Sequence, residues 1–160
     1  MKYASSLDKL AKGLTAGVTI IFIATIITEV IAVKYIGTLE VASTAVALMV
    51  SWLACFAFKP SGYDVLDGKL IINRPLKNVI IDKHDIASAE MLDGKSLRGS
   101  IRLFGVGGLF GYFGKYVNSK LGRMTWYATR RDKIVLITTK DNKKIIVTPD
   151  EPSAFVAAIK

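Results

Sequence analysis

The sequence predicts an α+β protein in two parts: an N-terminal two-helix transmembrane hairpin, then a mainly antiparallel β barrel capped by a C-terminal helix. Three observations carry that expectation. Two apolar runs of about 20 residues stand back to back at 14–33 and 39–58, and a helix of that length matches a hydrocarbon core of roughly 30 Å. After Phe58, charged residues and glycines recur every few positions, and short stretches alternate with period two. The chain closes on an apolar stripe at helical spacing behind two prolines.

The elements follow in order. Residues 1–13 form a cytoplasmic flank carrying Lys2, Lys9 and Lys12. The hairpin occupies 14–58, with the connector Lys34-Tyr35-Ile36-Gly37-Thr38 between its helices. Basic residues stand before the first run and after the second, so both termini are expected in the cytoplasm. A signal peptide is the poorer reading, because the first run is too long for one and a second run follows at once. Gly13, Gly17 and Ala24, with Ala42, Ala45 and Ser51 opposite, offer small residues for close helix approach. Trp52 and Tyr35 are expected at the two interfaces. Glu29 is the ionisable residue well inside a run, within reach of Lys34 and level with Glu40, which reads as an interfacial carboxylate.

Lys59-Pro60-Ser61-Gly62 marks the boundary, and 62–160 forms the second part. Seven or eight strands are expected there. Tyr63–Leu66 and Leu70–Arg74 flank Asp67-Gly68, a two-residue hairpin signal in which both residues take positive φ. Asn78–Ile81, Ile86–Leu92 and the shorter Ile101–Phe104 follow. Met124–Thr129, Ile134–Thr139 and Lys144–Thr148 read as a meander turning at Arg131-Asp132 and Asp141-Asn142. Pro152 suits the first turn of a final helix, with Phe155, Val156 and Ile159 on one side.

This strand order with one closing helix resembles a pleckstrin-homology (PH)-like barrel. The run from Arg102 to Thr139, then IIVTPDEPSAF, is similar to a family of bacterial PH-domain proteins. The residues that carry the resemblance are the Gly- and aromatic-rich segment, Tyr127-Ala128-Thr129, and Thr148-Pro149 through Pro152 and Phe155. It covers nearly all of 62–160. It implies a membrane-associated, multi-pass protein of the bacterial cytoplasmic (inner) membrane, and its motifs bear on fold more than on function.

Between Phe104 and Arg123 glycines alternate with aromatics. Neither GxGxxG nor GxxxxGK[ST] is present, so the segment is not a phosphate loop. Two readings stand. The glycines allow tight bends while the aromatics pack on the barrel or hairpin. Alternatively Phe104, Phe110, Tyr112, Phe113 and Tyr116 enter the headgroup region beside Lys115, Lys120 and Arg123. A basic patch is also expected from Arg130, Arg131, Lys133, Lys143 and Lys144.

The net charge is +9. From Lys59 onward 18 basic residues stand against 10 acidic ones, leaving +8. A basic domain tied to a bilayer most simply faces anionic headgroups, and nucleic acid is the other usual partner of such charge; the scatter of the positives weakens both readings and favours a solvated surface with a mild electrostatic bias. Cys55 is the lone cysteine and His84 the lone histidine, and CxxC, HExxH and GxSxG are missing. No enzyme, metal or cofactor is therefore expected. The primary expectation is a non-catalytic module, integral to the bilayer, that binds a protein partner or self-associates. Headgroup sensing is the alternative, and an accessory role beside a transporter rests on Glu29 alone.

Overall fold

The chain begins as a strand. In the computed structural model, which describes residues 1–36 and 38–159, β1 (Lys2–Ala4) pairs antiparallel with β2 (Gly62–Leu66). The Met1 ammonium donates to the Val65 carbonyl at 2.6 Å, and the Val65 amide returns to the Met1 carbonyl at 2.8 Å. The N-terminal flank thus carries a strand with no local signal. Three residues are too few to show a period, and the partner is distant in sequence.

Asp8 caps α1 (Lys9–Ile36): its carboxylate accepts from the Ala11 amide at 2.7 Å and its carbonyl from the Lys12 amide at 3.0 Å. Over Lys9–Ala32 this helix has a mean hydropathy of 2.2, and its most apolar stretch is uncovered by the rest of the chain. α2 (Thr38–Phe58) folds back on it, with Trp52 Nε1 donating to Thr19 Oγ1 at 3.4 Å. The apolar stretch of α2 is shorter over the described residues, Ala42–Phe58, so α1 is the one helix clearly of membrane-crossing length. Thr38, Glu40, Ser43 and Thr44 make the first turns of α2 the more polar ones. A Cβ added at Gly13 or Gly17 would meet nothing within 4 Å. Those glycines therefore face open space, not α2. One Glu29 carboxylate oxygen is enclosed without a partner among the described residues, while Gly37 and the side chains of Lys34 and Glu40 lie outside them.

The strands after Phe58 make two sheets instead of a closed barrel. The first has the order β1-β2-β3-β4, with β3 (Lys69–Asn73) and β4 (Val79–Asp82). Asp67 and Gly68 turn β2 into β3 with φ of 51° and 70°, as the sequence predicts. The second sheet has the order β5-β9-β10-β8-β7-β6. Its strands are β5 (Ile86–Leu92), β6 (Ile101–Gly108), β7 (Gly111–Asn118), β8 (Gly122–Ala128), β9 (Ile134–Thr139) and β10 (Lys144–Val147).

Two expectations are corrected here. The glycine-rich segment is the β6–β7 hairpin, so the strand count exceeds eight. The last three strands are not a meander, because β10 inserts between β9 and β8 and pairs parallel with β8. Arg131-Asp132 belongs to that crossover. The reason lies in burial: β9 and β10 are apolar on both faces, which suits the middle of a sheet covered on both sides.

One core lies between the sheets. Tyr63, Leu70 and Ile72 meet Val135, Ile137, Ile145 and Val147, and α3 (Pro152–Ile159) covers them with Phe155 and Ile159. Lys83 Nζ donates to the Ala158 carbonyl at 2.7 Å, satisfying the end of that helix. A second core coats the opposite face of the six-stranded sheet. There Tyr112, Tyr116, Met124 and Trp126 pack under Leu7, Ala11, Leu97 and Leu121.

Candidate functional site

The expected family motifs are adjacent in space. The Thr129 amide donates to Thr148 Oγ1 at 2.9 Å, and Thr129 Oγ1 donates to the Ser6 carbonyl at 2.9 Å. Ser5 Oγ lies 2.6 Å from Thr129 Oγ1 and donates to the Thr148 carbonyl at 2.9 Å. Tyr63 enters the same cluster, donating to the Tyr127 carbonyl at 2.6 Å and accepting from the Thr148 amide at 2.9 Å. Burial pushes its phenol up, keeping it a neutral donor. The motif threonines therefore fasten the segment between β1 and α1 to the sheet.

The aromatic residues of 104–123 divide. Phe110, at the β6–β7 turn with φ 58°, packs edge-on against Trp52 and Phe56 of α2, with ring centroids 5.1 and 5.6 Å apart. Its amide donates to Thr15 Oγ1 at 2.8 Å. Lys59 Nζ lies 4.5 Å from the Phe56 ring centre. Tyr112, Phe113 and Tyr116 are buried. Tyr116 stacks on Trp126 at 4.2 Å and donates to the Val106 carbonyl at 2.7 Å. Of the five, Phe104 alone is exposed, at 78%. Phe110, Tyr112, Phe113 and Tyr116 thus pack within the chain, and Phe104 faces outward.

Phe104 lies on β6, the outermost strand of its sheet. Ile101 and Leu103 beside it are 66% and 57% exposed. A register shift between Arg102 and Phe104 takes Leu103 out of the ladder. This apolar edge was legible only as a short strand, since edge position depends on which strands pair.

The basic candidates also separate. Arg130 is held by Asp132 at 2.5 Å and Asp150 at 3.0 Å, and Lys133 Nζ donates to the Asp150 carbonyl at 2.7 Å. Arg131 lies 4.5 Å over the Tyr112 ring. These three follow β8, near the start of α1. Lys143 and Lys144 lie at the other end of β9, so the five residues make no single patch. Lys143 pairs with Asp141 at 2.6 Å, and Lys144 Nζ donates to the Leu121 carbonyl at 2.7 Å. With Lys115 and Arg123 they instead line an open hollow of about 470 Å³. Lys115 also borders a neighbouring hollow of about 500 Å³ lined by Cys55, Phe58, Arg74, Phe113 and Tyr127. Together they form a trough, apolar beside α2 and cationic further out. Lys120 is exposed in the β7–β8 turn.

Asp82, His84 and Asp85 bring ligand atoms within 4.8 Å of one another on an exposed 3-10 turn. His84 and Asp85 are solvated and lie 3.5 Å apart.

Two sheets closed by a terminal helix, with an open strand edge and a cationic trough, define a class of small binding domain. The chain belongs to the bacterial PH domain family, whose model matches residues 61–160. No curated protein and no solved structure matches it.

Proposed function

We propose that the protein is a non-catalytic adaptor, anchored in the bacterial inner membrane by α1 and α2 with both termini cytoplasmic, whose PH domain holds a protein partner. PH domains are in general non-catalytic, which agrees with this reading. The observation that carries it is the free, apolar edge of β6, where Ile101, Leu103 and Phe104 project. An unpaired edge accepts an extended segment as an added strand. Arg102, Lys115 and Arg123 around it favour a segment that is acidic as well as apolar.

The occupant proposed is another protein's segment, and a second copy of this chain is the other that such an edge admits. β6 ends against α1, where Thr15 Oγ1 donates to the Gly108 carbonyl at 3.4 Å.

A photo-crosslinker at Leu103 in intact membranes tests this. A discrete heteromeric adduct that Phe104→Asp abolishes supports the reading; a dimer-sized adduct, or none, overturns it. The amphipathic trough favours anionic lipid as a second reading. Anionic lipid retained through purification by the full chain, and lost on Lys115→Glu with Arg123→Glu, would identify that one.

A further inference from the structure

We propose that the hollow between the Gly94–Ser100 turn and the β8 face carrying Trp126 binds a compact phosphate-type oxyanion. The hollow measures about 290 Å³, room for a phosphate with a small substituent. Trp126, Arg98, Arg131 and Ser100 line it together.

The first indication is an orphaned donor. Trp126 is 4% exposed, and its indole N–H has no hydrogen-bond partner among the described residues. A buried donor left unpaired costs about 1–3 kcal/mol. The ring is held in place by the Tyr116 stack, whose planes differ by 14°. Rotating the indole to find another partner would sacrifice that stack.

The second indication is charge. Neither Arg98 nor Arg131 has a carboxylate within 4.0 Å of its guanidinium among the described residues, in contrast to Arg130 next to it. The acidic groups beside the hollow are already engaged. Asp8 accepts from the Ala11 amide, the Arg131 amide and the Tyr112 hydroxyl, and Asp93, which caps the Gly94–Leu97 turn, accepts from the Lys95 amide. The hollow is thus lined by residues that carry an indole N–H, two guanidinium groups and a hydroxyl. Such a set of donors, two of them permanently cationic, suits an oxyanion. The site is separate from the β6 edge and does not depend on it.

The test is calorimetric titration of the full chain in neutral detergent with inorganic phosphate and with glycerol 3-phosphate, at constant ionic strength in chloride. Saturable binding is expected. Arg98→Ala and Trp126→Phe should each weaken it about tenfold or more, the latter keeping the aromatic stack and removing only the N–H. Lys69→Ala, exposed on β3 and outside this hollow and the trough, should leave it unchanged. Repeating the titration in nanodiscs identifies the source. Loss of phosphate binding when phosphatidic acid replaces neutral lipid assigns the site to a headgroup, and persistence assigns it to a soluble phosphate. Absence of saturable binding, or equal affinity in wild type, Arg98→Ala and Trp126→Phe, overturns the proposal.

Discussion

The Tyr112 hydroxyl donates to both carboxylate oxygens of Asp8, at 3.3 Å each. This contact joins the glycine-rich hairpin to the cap of the membrane-length helix. Burial, and then the Asp8 charge, push the phenol from 10.0 up to about 12. Between those values the folded chain keeps a proton that the unfolded chain has lost, so stability falls as pH rises from about 10 to 12. Ultraviolet difference titration should show a group of late-ionising tyrosines, Tyr63, Tyr112, Tyr116 and Tyr127, from which Tyr112→Phe removes one. Asp8→Ala, which strips the cap and the acceptor together, should cost about 1–2 kcal/mol in detergent unfolding.

Phe110 is the bolt between the sheet and the helices. Phe110→Ala should leave both sheets folded while loosening their hold on α2, at about 3 kcal/mol. Amide exchange around the β6–β7 turn should then accelerate about 100-fold, with exchange in β9 unchanged. Equal acceleration in both would mean that the residue supports the sheet instead.

Gly105 and Gly114 face each other across β6 and β7, with φ of 115° and 125°. A Cβ on either would strike the carbonyl of the residue paired beside its partner and come within 2.7 Å of the opposite Cα. Gly114→Ala should therefore cost about 3 kcal/mol or more and break the hairpin, read by circular dichroism melting. Gly17→Ala is the contrast: with open space around it and a helical backbone, it should stabilise α1 by about 0.5–1 kcal/mol.

Arg130 bridges Asp132 and Asp150. Its hydrogen bond holds the Asp132 carboxyl below the ordinary 3.8. At Asp150 burial acts upward, but hydrogen bonds from Ser6 and Arg130 outweigh it and the carboxyl is again lowered. Below about pH 4 the unfolded chain binds these protons first, so stability present above that pH is lost as pH falls through the depressed values. Arg130→Gln should lower stability at neutral pH and flatten the acid limb. A variant with an unchanged acid limb would remove the bridge from the account.

The residues that could be read in the sequence are those whose partners are near. Asp67-Gly68 declares its hairpin because the turn geometry is local, and Phe155 with Ile159 declares a helix face through spacing alone. The β1 strand and the insertion of β10 beside β8 depend on distant pairing, which no local period encodes. The aromatics between Phe104 and Tyr116 carry no mark of whether they face lipid or protein. Only the hairpin register sends Phe110 to α2, Tyr112 to Asp8 and Phe104 to solvent. The basic residues divide for the same reason: Lys143 and Lys144 lie near Arg130 in sequence but at the far end of β9 from it in space.

In the function proposed, α1 and α2 are embedded in a bilayer and hold the PH domain at its cytoplasmic face. Alkaline carbonate extraction of cells followed by sedimentation tests it most directly. The protein should remain in the membrane pellet until detergent is added. Release into the supernatant without detergent would contradict the account.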